Sequence, residues 1–325
     1  MMPPGEHNGE KRGRNMFRFT MPSSEKDVAT RKKFLLDQCD DFLNAKALQE
    51  LCAILETDSA SLKHTFDGRR KSDGSVRETQ ELSKNELLEK NKEALFPLFD
   101  ELGFIGINKP LIDQPDHILI LGGALGACFN RTNAGREHVS ANTNSFDGLS
   151  CYRPINPKER EKSVHFSHYE TEFGVMTDAI ASAFGLSVDL CDDVFSGDRN
   201  LNRISCIRTI RNTSEPMVCR VYAAPSGQPE LRRADTTDSL IFYLENAVTT
   251  PHSSVLAVTN NRYCNRQFLQ LAFPILQHDI AVNLDIIGCS PDSDLVDACT
   301  YDPFQLMQDL IGILDWIDRF RSVGN

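Results

Sequence analysis

Short apolar runs alternate with amphipathic stretches from residue 117 onward, and this alternation restricts the possible folds more than any other feature. The apolar runs are HILILGG, CRVYAAP, SSVLAVTNN and AVNLDIIGCS. Helical patterns begin between them near residues 170, 236 and 266, and DPFQLMQDLIGILDWIDRFR adds a C-terminal amphipathic helix. Strands that alternate with helices predict right-handed parallel crossovers and a sheet covered on both faces. The sequence therefore predicts an α/β fold with a parallel sheet covered by helices.

A helical region precedes this alternation. Between residues 23 and 112, apolar side chains recur at three- and four-residue steps in SEKDVATRKKFLLDQCDDFLNA, KALQELCAILETD and SKNELLEKNKEALFPLFDELGF. In the last of these stretches, Ser83 is the predicted N-cap and Gly103 the predicted stop. Residues 1–22 are rich in Pro, Gly, Asn and basic side chains, which predicts a disordered tail. The α/β domain and its C-terminal helix are then predicted to cover residues 113–325.

Composition and charge exclude several classes of protein. The 325-residue chain carries a net charge of −11, so general nucleic-acid binding, which needs clustered cations, is not expected. No apolar run approaches the roughly 18 residues of a membrane span, and the polar N-terminus lacks the apolar core of a secretory signal. The ten cysteines include no CxxC pair and no zinc-ligand spacing. We therefore expect a cytoplasmic protein with reduced thiols and no membrane span.

The stretch HILILGGALGACFNRT contains the first candidate for a ligand site. Its apolar run ends at Gly122 and Gly123, and the segment continues to Asn130 and Arg131. Ligands of open parallel sheets bind outside the carboxyl ends of the strands, and glycine permits a positive φ or a close approach of the backbone to a ligand. The alternative is a tight turn that binds nothing, because LGGALGA lacks the GxGxxG spacing of a dinucleotide site.

A second strand end is also polar. The run SSVLAV is followed by Thr259, Asn260 and Asn261, and Tyr263 and Arg266 stand at the start of the next helical pattern. Hydroxyls, amides and a guanidinium near a helix N-terminus suit an anionic ligand. The alternative is N-capping by Thr259 or Asn260 beside a surface arginine.

The motifs ILILGG, YETEFGVM, ADTTDSLIF and AVTNNRYCNRQ occur in the same order as in the YdcF/SanA/ElyC-like domains, which residues 117–292 resemble. The resemblance gives Glu172 the acidic position at a helix start and Thr236 the threonine before a later helix. It also gives Thr259 the hydroxyl of the Val-Thr motif and Arg266 the final arginine. The resemblance implies a Rossmann-like fold that binds a nucleotide-like or other anionic small molecule. S-adenosylmethionine is a possible cofactor on the same ground.

This chain departs from the family pattern at three places. Asp235 stands where the family has Asn, and Tyr263 stands where the family often has His. A phenol titrates near pH 10 and an imidazole near pH 6.5, so Tyr263 is a poor proton shuttle at neutral pH. The segment FDGLSCYRPINPKERE reads as a long polar insert in place of a brief Ser-Gly-Gly turn. Its Ser150, Tyr152 and Arg153 either line the cleft or form a surface loop.

Two classes of function remain open. The first is an enzyme, a hydrolase or transferase of a phosphorylated or nucleotide-like substrate, in which Glu172 acts as a base or holds an arginine in place; the holding role is favoured. The second is a ligand-sensing or protein-interaction module built on a decayed YdcF-like site. The predicted ligand-binding residues are Gly122, Gly123, Asn130, Arg131, Thr236, Asp238, Thr259, Asn260, Tyr263 and Arg266. No metal site is predicted, because Asp292, Asp294 and Asp297 fit the capped start of a helix better than a cation site.

Overall fold

A computed structural model describes residues 16–68, 85–106, 108–123, 125–157, 160, 168–198, 202–211, 216–247, 250–289 and 301–323. The helices among these residues are α1 (Val28–Leu43), α2 (Lys46–Ile54), α3 (Ser59–Phe66), α4 (Glu86–Lys90), α5 (Lys92–Glu101), α6 (Leu125–Arg136), α7 (Glu172–Phe184), α8 (Thr236–Asn246), α9 (Cys264–Gln277) and α10 (Pro303–Val323). The strands are β1 (His117–Leu121), β2 (Ser145–Ser150), β3 (Cys191–Ser196), β4 (Ser205–Ile210), β5 (Val218–Ala223), β6 (Ser254–Asn260) and β7 (Asn283–Cys289).

The described strands form one seven-stranded, mostly parallel sheet in the order β3-β4-β5-β2-β1-β6-β7. The strands β5, β2, β1, β6 and β7 run parallel, and β4 pairs antiparallel with both β3 and β5. The predicted parallel sheet covered by helices, preceded by a helical region, is confirmed. Its strand order is consistent with a Rossmann-like fold.

Each face of the sheet has its own helical layer. Strand side chains alternate between the two faces, so Ile118 and Ile120 of β1 pack with α6 and α7, whereas Leu119 and Leu121 pack with α8 and α9. The helices α1 to α5 and α10 belong to this second layer, and their apolar side chains share one continuous core with it. The helical region therefore packs against the α/β unit and shares its core.

Strand β2 corrects the interpretation of FDGLS as part of a polar insert. Residues Ser145–Ser150 form a central strand that is buried along its whole length, between β1 and β5. Asp147 and Gly148 interrupt the apolar pattern that would have marked the strand. A Cβ on Gly148 would overlap the side chain of Met176 in α7, so close helix packing explains the glycine. Strands β3 and β4 were likewise absent from the sequence prediction.

Part of the predicted disordered tail is packed. The amide of Phe17 donates to the carbonyl of Glu101 at 2.8 Å, and the Phe19 side chain is only 1% exposed. Arg18 forms an ion pair with Asp285 of β7. The predicted tail therefore extends too far along the chain, since Phe17, Arg18 and Phe19 are packed. The basic and polar residues around Phe17 and Phe19 are what predicted disorder here.

The predicted C-terminal end of the α4–α5 segment is confirmed, and its predicted N-cap lies outside the described residues. Asn85 caps α4, with its side chain accepting from the amide of Leu88 at 3.2 Å; the predicted cap, Ser83, lies outside the described residues. Helix α5 ends at Glu101, and Gly103 follows with a φ of 83°, which is the left-handed conformation that glycine adopts without strain. The Gly103 amide closes the turn on the carbonyl of Asp100 at 2.9 Å.

Nine of the ten cysteines lie in the described residues, and all nine are free thiols. All but Cys191 are buried, and burial raises the pKa of a thiol, as for Cys128 to about 12. In the described part of the chain, no helix combines the length and the apolar character that a membrane crossing requires.

Candidate functional site

The carboxyl ends of β1 and β6 lie side by side at the point where the strand order reverses. From β1 the chain continues to β2 and β5 on one side of the sheet, and later to β6 and β7 on the other. Strands β1 and β6 pair directly, with Ile120 opposite Val258. Gly122 follows β1, and Asn260 ends β6, so the two predicted strand ends meet at one edge. This is the position at which open α/β sheets bind ligands.

Arg131 joins the two strand ends from α6. Its Nε donates to Asn260 Oδ1 at 2.7 Å, and its Nη1 donates to the carbonyl of Leu121 at 2.7 Å and to the carbonyl of Gly122. The residue is only 2% exposed. Because β1 and β6 are adjacent but far apart in sequence, this guanidinium ties their ends together.

The two glycines are required by neighbouring side chains. Neither Gly122 nor Gly123 has a positive φ, so close approach, and not backbone conformation, explains them. A Cβ on Gly122 would overlap Oε1 of Glu172 and would lie 2.7 Å from the carbonyl oxygen of Leu149. A Cβ on Gly123 would lie 3.0 Å from Nη1 of Arg131. The glycines thus allow an acidic and a basic side chain to reach the end of β1.

Glu172 stands in the first turn of α7 and is held by Arg153. Arg153 Nε donates to Glu172 Oε2 at 3.0 Å, and the two side chains are 9% and 6% exposed. Arg153 Nη2 also lies 3.4 Å from the carbonyl oxygen of Gly123. The sequence left Arg153 open between the cleft and a surface loop; the structure places it at the glycine turn. An ion pair of this kind is the arrangement that a holding role for Glu172 requires.

Tyr263 is surrounded by guanidinium groups. The central carbons of Arg131, Arg262 and Arg266 lie 5.8, 4.5 and 5.0 Å from the centre of its ring. Its hydroxyl accepts a hydrogen bond from Nη2 of Arg262. Cations over an aromatic face are attracted to its negative potential, so Tyr263 holds three like charges together that would otherwise repel one another.

A carboxylate of α10 neutralises part of this charge. Asp309 is completely buried, with Oδ2 at 3.2 Å from Arg262 Nε and Oδ1 at 2.9 Å from Arg266 Nη1. Arg262 also donates to Gln305 of the same helix. Arg266 is therefore tied to α10, and its side chain retains 16% exposure beside the ring of Tyr263.

Three predicted ligand-binding residues lie apart from this group. Thr259 is fully buried and donates to Gln267 Oε1, and Gln267 Nε2 donates to Thr236 Oγ1 at 3.3 Å. This chain of side chains joins β6, α9 and α8 on the face opposite to Asn260. Asp238 completes the capping box of α8 and pairs with Arg232. These contacts give Thr259 and Thr236 a role in holding α9 and α8 to the sheet, and Asp238 a role in capping α8.

The predicted residues that do come together are Gly122, Gly123, Arg131, Glu172, Asn260, Tyr263 and Arg266, while Asn130 is buried within α6. Sequence reasoning missed Arg262 and Asp309. Arg262 had a usable signal, since it lies four residues before Arg266. Asp309 had none, because only tertiary packing brings α10 to the start of α9.

Four arginines of the described residues gather at this edge. We use the name arginine belt for Arg131, Arg153, Arg262 and Arg266, which the glycine turn and the ring of Tyr263 connect. Two carboxylates, Glu172 and Asp309, pair with members of the belt. On a chain with a net charge of −11, the described residues thus bring four guanidiniums together at this edge.

A second polar cluster lies at the opposite edge, where the strands begin. His117 Nδ1 is hydrogen-bonded to Ser145 Oγ at 2.9 Å, and Ser145 Oγ donates to Asp147 Oδ2. Asp147 is completely buried, and no described residue gives its Oδ1 a hydrogen bond of good geometry. Burial raises the pKa of Asp147 to about 7, although the hydrogen bond from Ser145 and the charge of Arg220 oppose the shift.

The raised pKa of Asp147 predicts a pH-dependent cost to stability. Because the folded state holds a proton here that the unfolded state has already released, this residue contributes less stability as pH rises from about 4 to 7. Asp147→Asn should therefore gain stability over wild type between pH 5 and pH 8, on the order of 2 kcal/mol. Denaturant unfolding of both proteins at the two pH values measures the difference.

Asp116 provides a control of opposite sign for this measurement. Although burial opposes the shift, hydrogen bonds from the amide and hydroxyl of Ser254 lower the pKa of Asp116. Asp116→Asn should therefore lose stability relative to wild type at pH 8. An Asp147→Asn protein whose stability runs parallel to wild type from pH 5 to pH 8 would show that Asp147 is ionised throughout.

Comparisons with known proteins assign the chain to no family. No family model, no curated protein and no solved structure matches the chain. Among the described residues, no group of three or more His, Cys, Asp or Glu side chains is placed to hold a metal ion. The geometry of the arginine belt is therefore the observation from which a function can be inferred.

Proposed function

We propose that the protein binds a phosphorylated or nucleotide-like small anion at the carboxyl ends of β1 and β6. The observation that carries this proposal is the arginine belt, in which four guanidiniums gather at the ends of two adjacent parallel strands. Guanidinium groups match the geometry of phosphate and carboxylate oxygens and form charge-assisted hydrogen bonds to them. The proposal agrees with the ligand class that the YdcF-like resemblance implies.

The start of α6 adds a second source of attraction. Helix α6 begins at Leu125, directly after the glycine turn, and it is 12 residues long. The amides of a first helical turn lack intrahelical partners, and the helix dipole places partial positive charge there. An anion at the strand ends would meet these amides from one side and Arg153 from the other, which is a recurring arrangement for phosphate.

The arginine belt does not fit S-adenosylmethionine, the cofactor that the family resemblance raised. The sulfonium centre of that molecule is a cation, and Arg131, Arg153 and Arg266 would repel it. The residues present therefore favour phosphate oxygens over a methyl-donor cofactor.

The same contacts favour binding over catalysis. A general base must have its acceptor oxygens free to receive a proton from the substrate; one oxygen of Glu172 accepts from Arg153 and the other lies against Gly122. The hydroxyl of Tyr263, at the position of the family's His, accepts from Arg262. We therefore propose a ligand-sensing module, with a hydrolase or transferase as the second candidate should a ligand draw Arg153 away from Glu172.

Arg153→Gln tests the binding proposal. The variant should bind pyrophosphate or ADP about 10- to 100-fold more weakly than wild type, because one charge-assisted interaction is lost. Isothermal titration calorimetry at fixed ionic strength measures the change. Arg211→Gln is the matched control, since Arg211 forms an exposed ion pair with Asp192 at the far edge of the sheet. Equal affinities for the Arg153 and Arg211 variants would remove the arginine belt as the binding site.

A turnover assay separates the two candidates. Incubation with nucleoside di- and triphosphates should release no inorganic phosphate if the protein only senses its ligand. Release that is lost in Glu172→Gln, while pyrophosphate still binds, would instead identify a hydrolase in which Glu172 takes part in the chemistry.

A further inference from the structure

A separate cavity lies at the amino ends of the strands, on the opposite side of the sheet from the arginine belt. Its volume is about 320 Å³, and the first residues of three strands, His117, Ser145 and Val218, form one wall. Ala247 and Thr250, which follow α8, form another wall, and Asn144 and Arg220 complete the lining. This volume lies at the lower end of the range for small-molecule pockets.

The lining is suited to a small anion. Arg220 brings a cation to the cavity and forms no ion pair within the described part of the chain, in contrast to Arg153 and Arg266. Asn144 contributes a side-chain amide, whereas the hydroxyls of Ser145 and Thr250 line the cavity but are hydrogen-bonded to Asp147 and Ser253. The C-terminal end of α8 carries partial negative charge that opposes an anion, but a helix-end effect is weaker than a charge-assisted hydrogen bond from a guanidinium.

The buried chain His117–Ser145–Asp147 connects this cavity to a carboxylate. His117 and Ser145 line the cavity, and Asp147 lies behind them. The charged and titratable groups around this chain are Asp116 beside His117, and Arg220, Tyr222 of β5 and Tyr243 of α8 beside Asp147. When Asp147 is ionised, Ser145 donates to it, and His117 then donates its Nδ1 hydrogen to Ser145, which leaves Nε2 as an acceptor.

Proton uptake reverses the direction of this chain. A solvent proton binds Nε2 of His117, the Nδ1 hydrogen passes to Ser145 Oγ, and the Ser145 hydrogen passes to Asp147 Oδ2. The imidazole remains neutral, Asp147 becomes a neutral acid, and Nε2 becomes a donor. Neutralising Asp147 also removes a negative charge that would repel an anion held by Arg220.

We propose that the cavity binds a small carboxylate or phosphate anion, which Arg220 holds and whose arrival is coupled to uptake of one proton by the His117–Ser145–Asp147 chain. This site is independent of the arginine belt, because it lies at the other end of the strands. Burial keeps the pKa of His117 low and that of Asp147 high, so the acceptor of the proton is the carboxylate.

Titration of the full chain with inorganic phosphate and with acetate tests the proposal. By isothermal titration calorimetry at pH 7, Arg220→Gln should weaken one binding event at least about tenfold, and Arg153→Gln should leave that event unchanged. Val218→Phe, which fills the cavity with an apolar ring, should abolish the same event without removing any charge. An anion affinity that neither variant changes would show that the cavity holds only water.

The two anion sites can be told apart in the same experiment. If the arginine belt binds nothing, a single event remains, and Arg220→Gln alone removes it. If only the belt binds, Arg153→Gln removes the single event, and the cavity proposal is overturned. Melting temperatures without anion, compared with wild type, identify any variant that has failed to fold.

Proton coupling has its own readouts. Binding enthalpies measured at pH 7 in two buffers of different ionisation enthalpy should reveal proton uptake by wild type and none by Asp147→Asn. The imidazole nitrogen signals of His117, assigned by their loss in His117→Gln, should exchange donor and acceptor character between Nδ1 and Nε2 on addition of acetate. Binding without proton uptake and without this exchange would contradict the coupling.

Discussion

Asp309→Ala should lower the free energy of unfolding by about 3–5 kcal/mol, the cost of breaking a buried ion pair from one side. Asp309 is completely buried between Arg262 and Arg266, at 3.2 and 2.9 Å. Its loss removes the carboxylate that the described residues place between these two guanidiniums, which are largely buried. Urea unfolding followed by far-ultraviolet circular dichroism measures the change.

The same helix supplies a matched control for this prediction. Asp315 pairs with Lys63 at 3.0 Å, with both side chains partly exposed. Surface ion pairs contribute little to stability, so Asp315→Ala should cost less than about 1 kcal/mol. Equal losses for the two variants would show that Asp309 behaves as a surface carboxylate and that the arginines are solvated.

Gly122→Ala is expected to have the next largest effect, because a single methyl group must displace two neighbours. The new Cβ would overlap Oε1 of Glu172 and would lie 2.7 Å from the carbonyl oxygen of Leu149. Overpacking of this kind costs roughly 2–3 kcal/mol, and movement of Glu172 would release Arg153 from its position. Both the melting temperature and the affinity for pyrophosphate should therefore fall.

Gly174→Ala is the control for the methyl group itself. Gly174 lies in α7 two residues after Glu172, and its nearest neighbour for a Cβ is Thr171 Oγ1 at 3.8 Å, an ordinary contact. Alanine is a better helix former than glycine, so this variant should be at least as stable as wild type. A Gly122 variant that melts and binds like wild type would falsify the role assigned to the glycine turn.

Two of the strands that the sequence revealed, β1 and β6, are apolar on both faces. HILIL and SSVLAV form β1 and β6, and apolar runs buried on both sides are typical of parallel sheets. Strand β2 was not predicted, because Asp147 places a carboxylate in the core and Gly148 contributes no apolar side chain to the sequence pattern. Helix α6 was not predicted either. It buries polar residues, Arg131 and Thr132, together with its apolar residues, so its sequence shows no clear amphipathic pattern.

The position of the site at the strand ends was predictable from the sequence, whereas the partners of its charged side chains depend on tertiary contacts. Two strand ends at one edge of a parallel sheet follow from alternation alone, and Arg131 and Asn260 meet there. The partner of each charge does not follow. Arg266 reads as a surface ligand group in the sequence, yet Asp309, 43 residues later along the chain, binds it in the fold. Thr259 reads as a ligand hydroxyl, yet strand alternation turns it to the opposite face.

The packing of α10 has a consequence for how the chain acquires its structure during synthesis. This helix contacts α1, α3, α4 and α5, and its apolar residues share a core with Phe19 near the other end of the described chain. Contacts over such sequence separations are slow to form, because loop-closure entropy must be overcome before they stabilise anything. During synthesis, the apolar surfaces of α1 to α5 that α10 covers would therefore stay exposed until residue 323 had left the ribosomal exit tunnel. A nascent chain in that condition is a natural substrate for chaperones that bind exposed apolar surface.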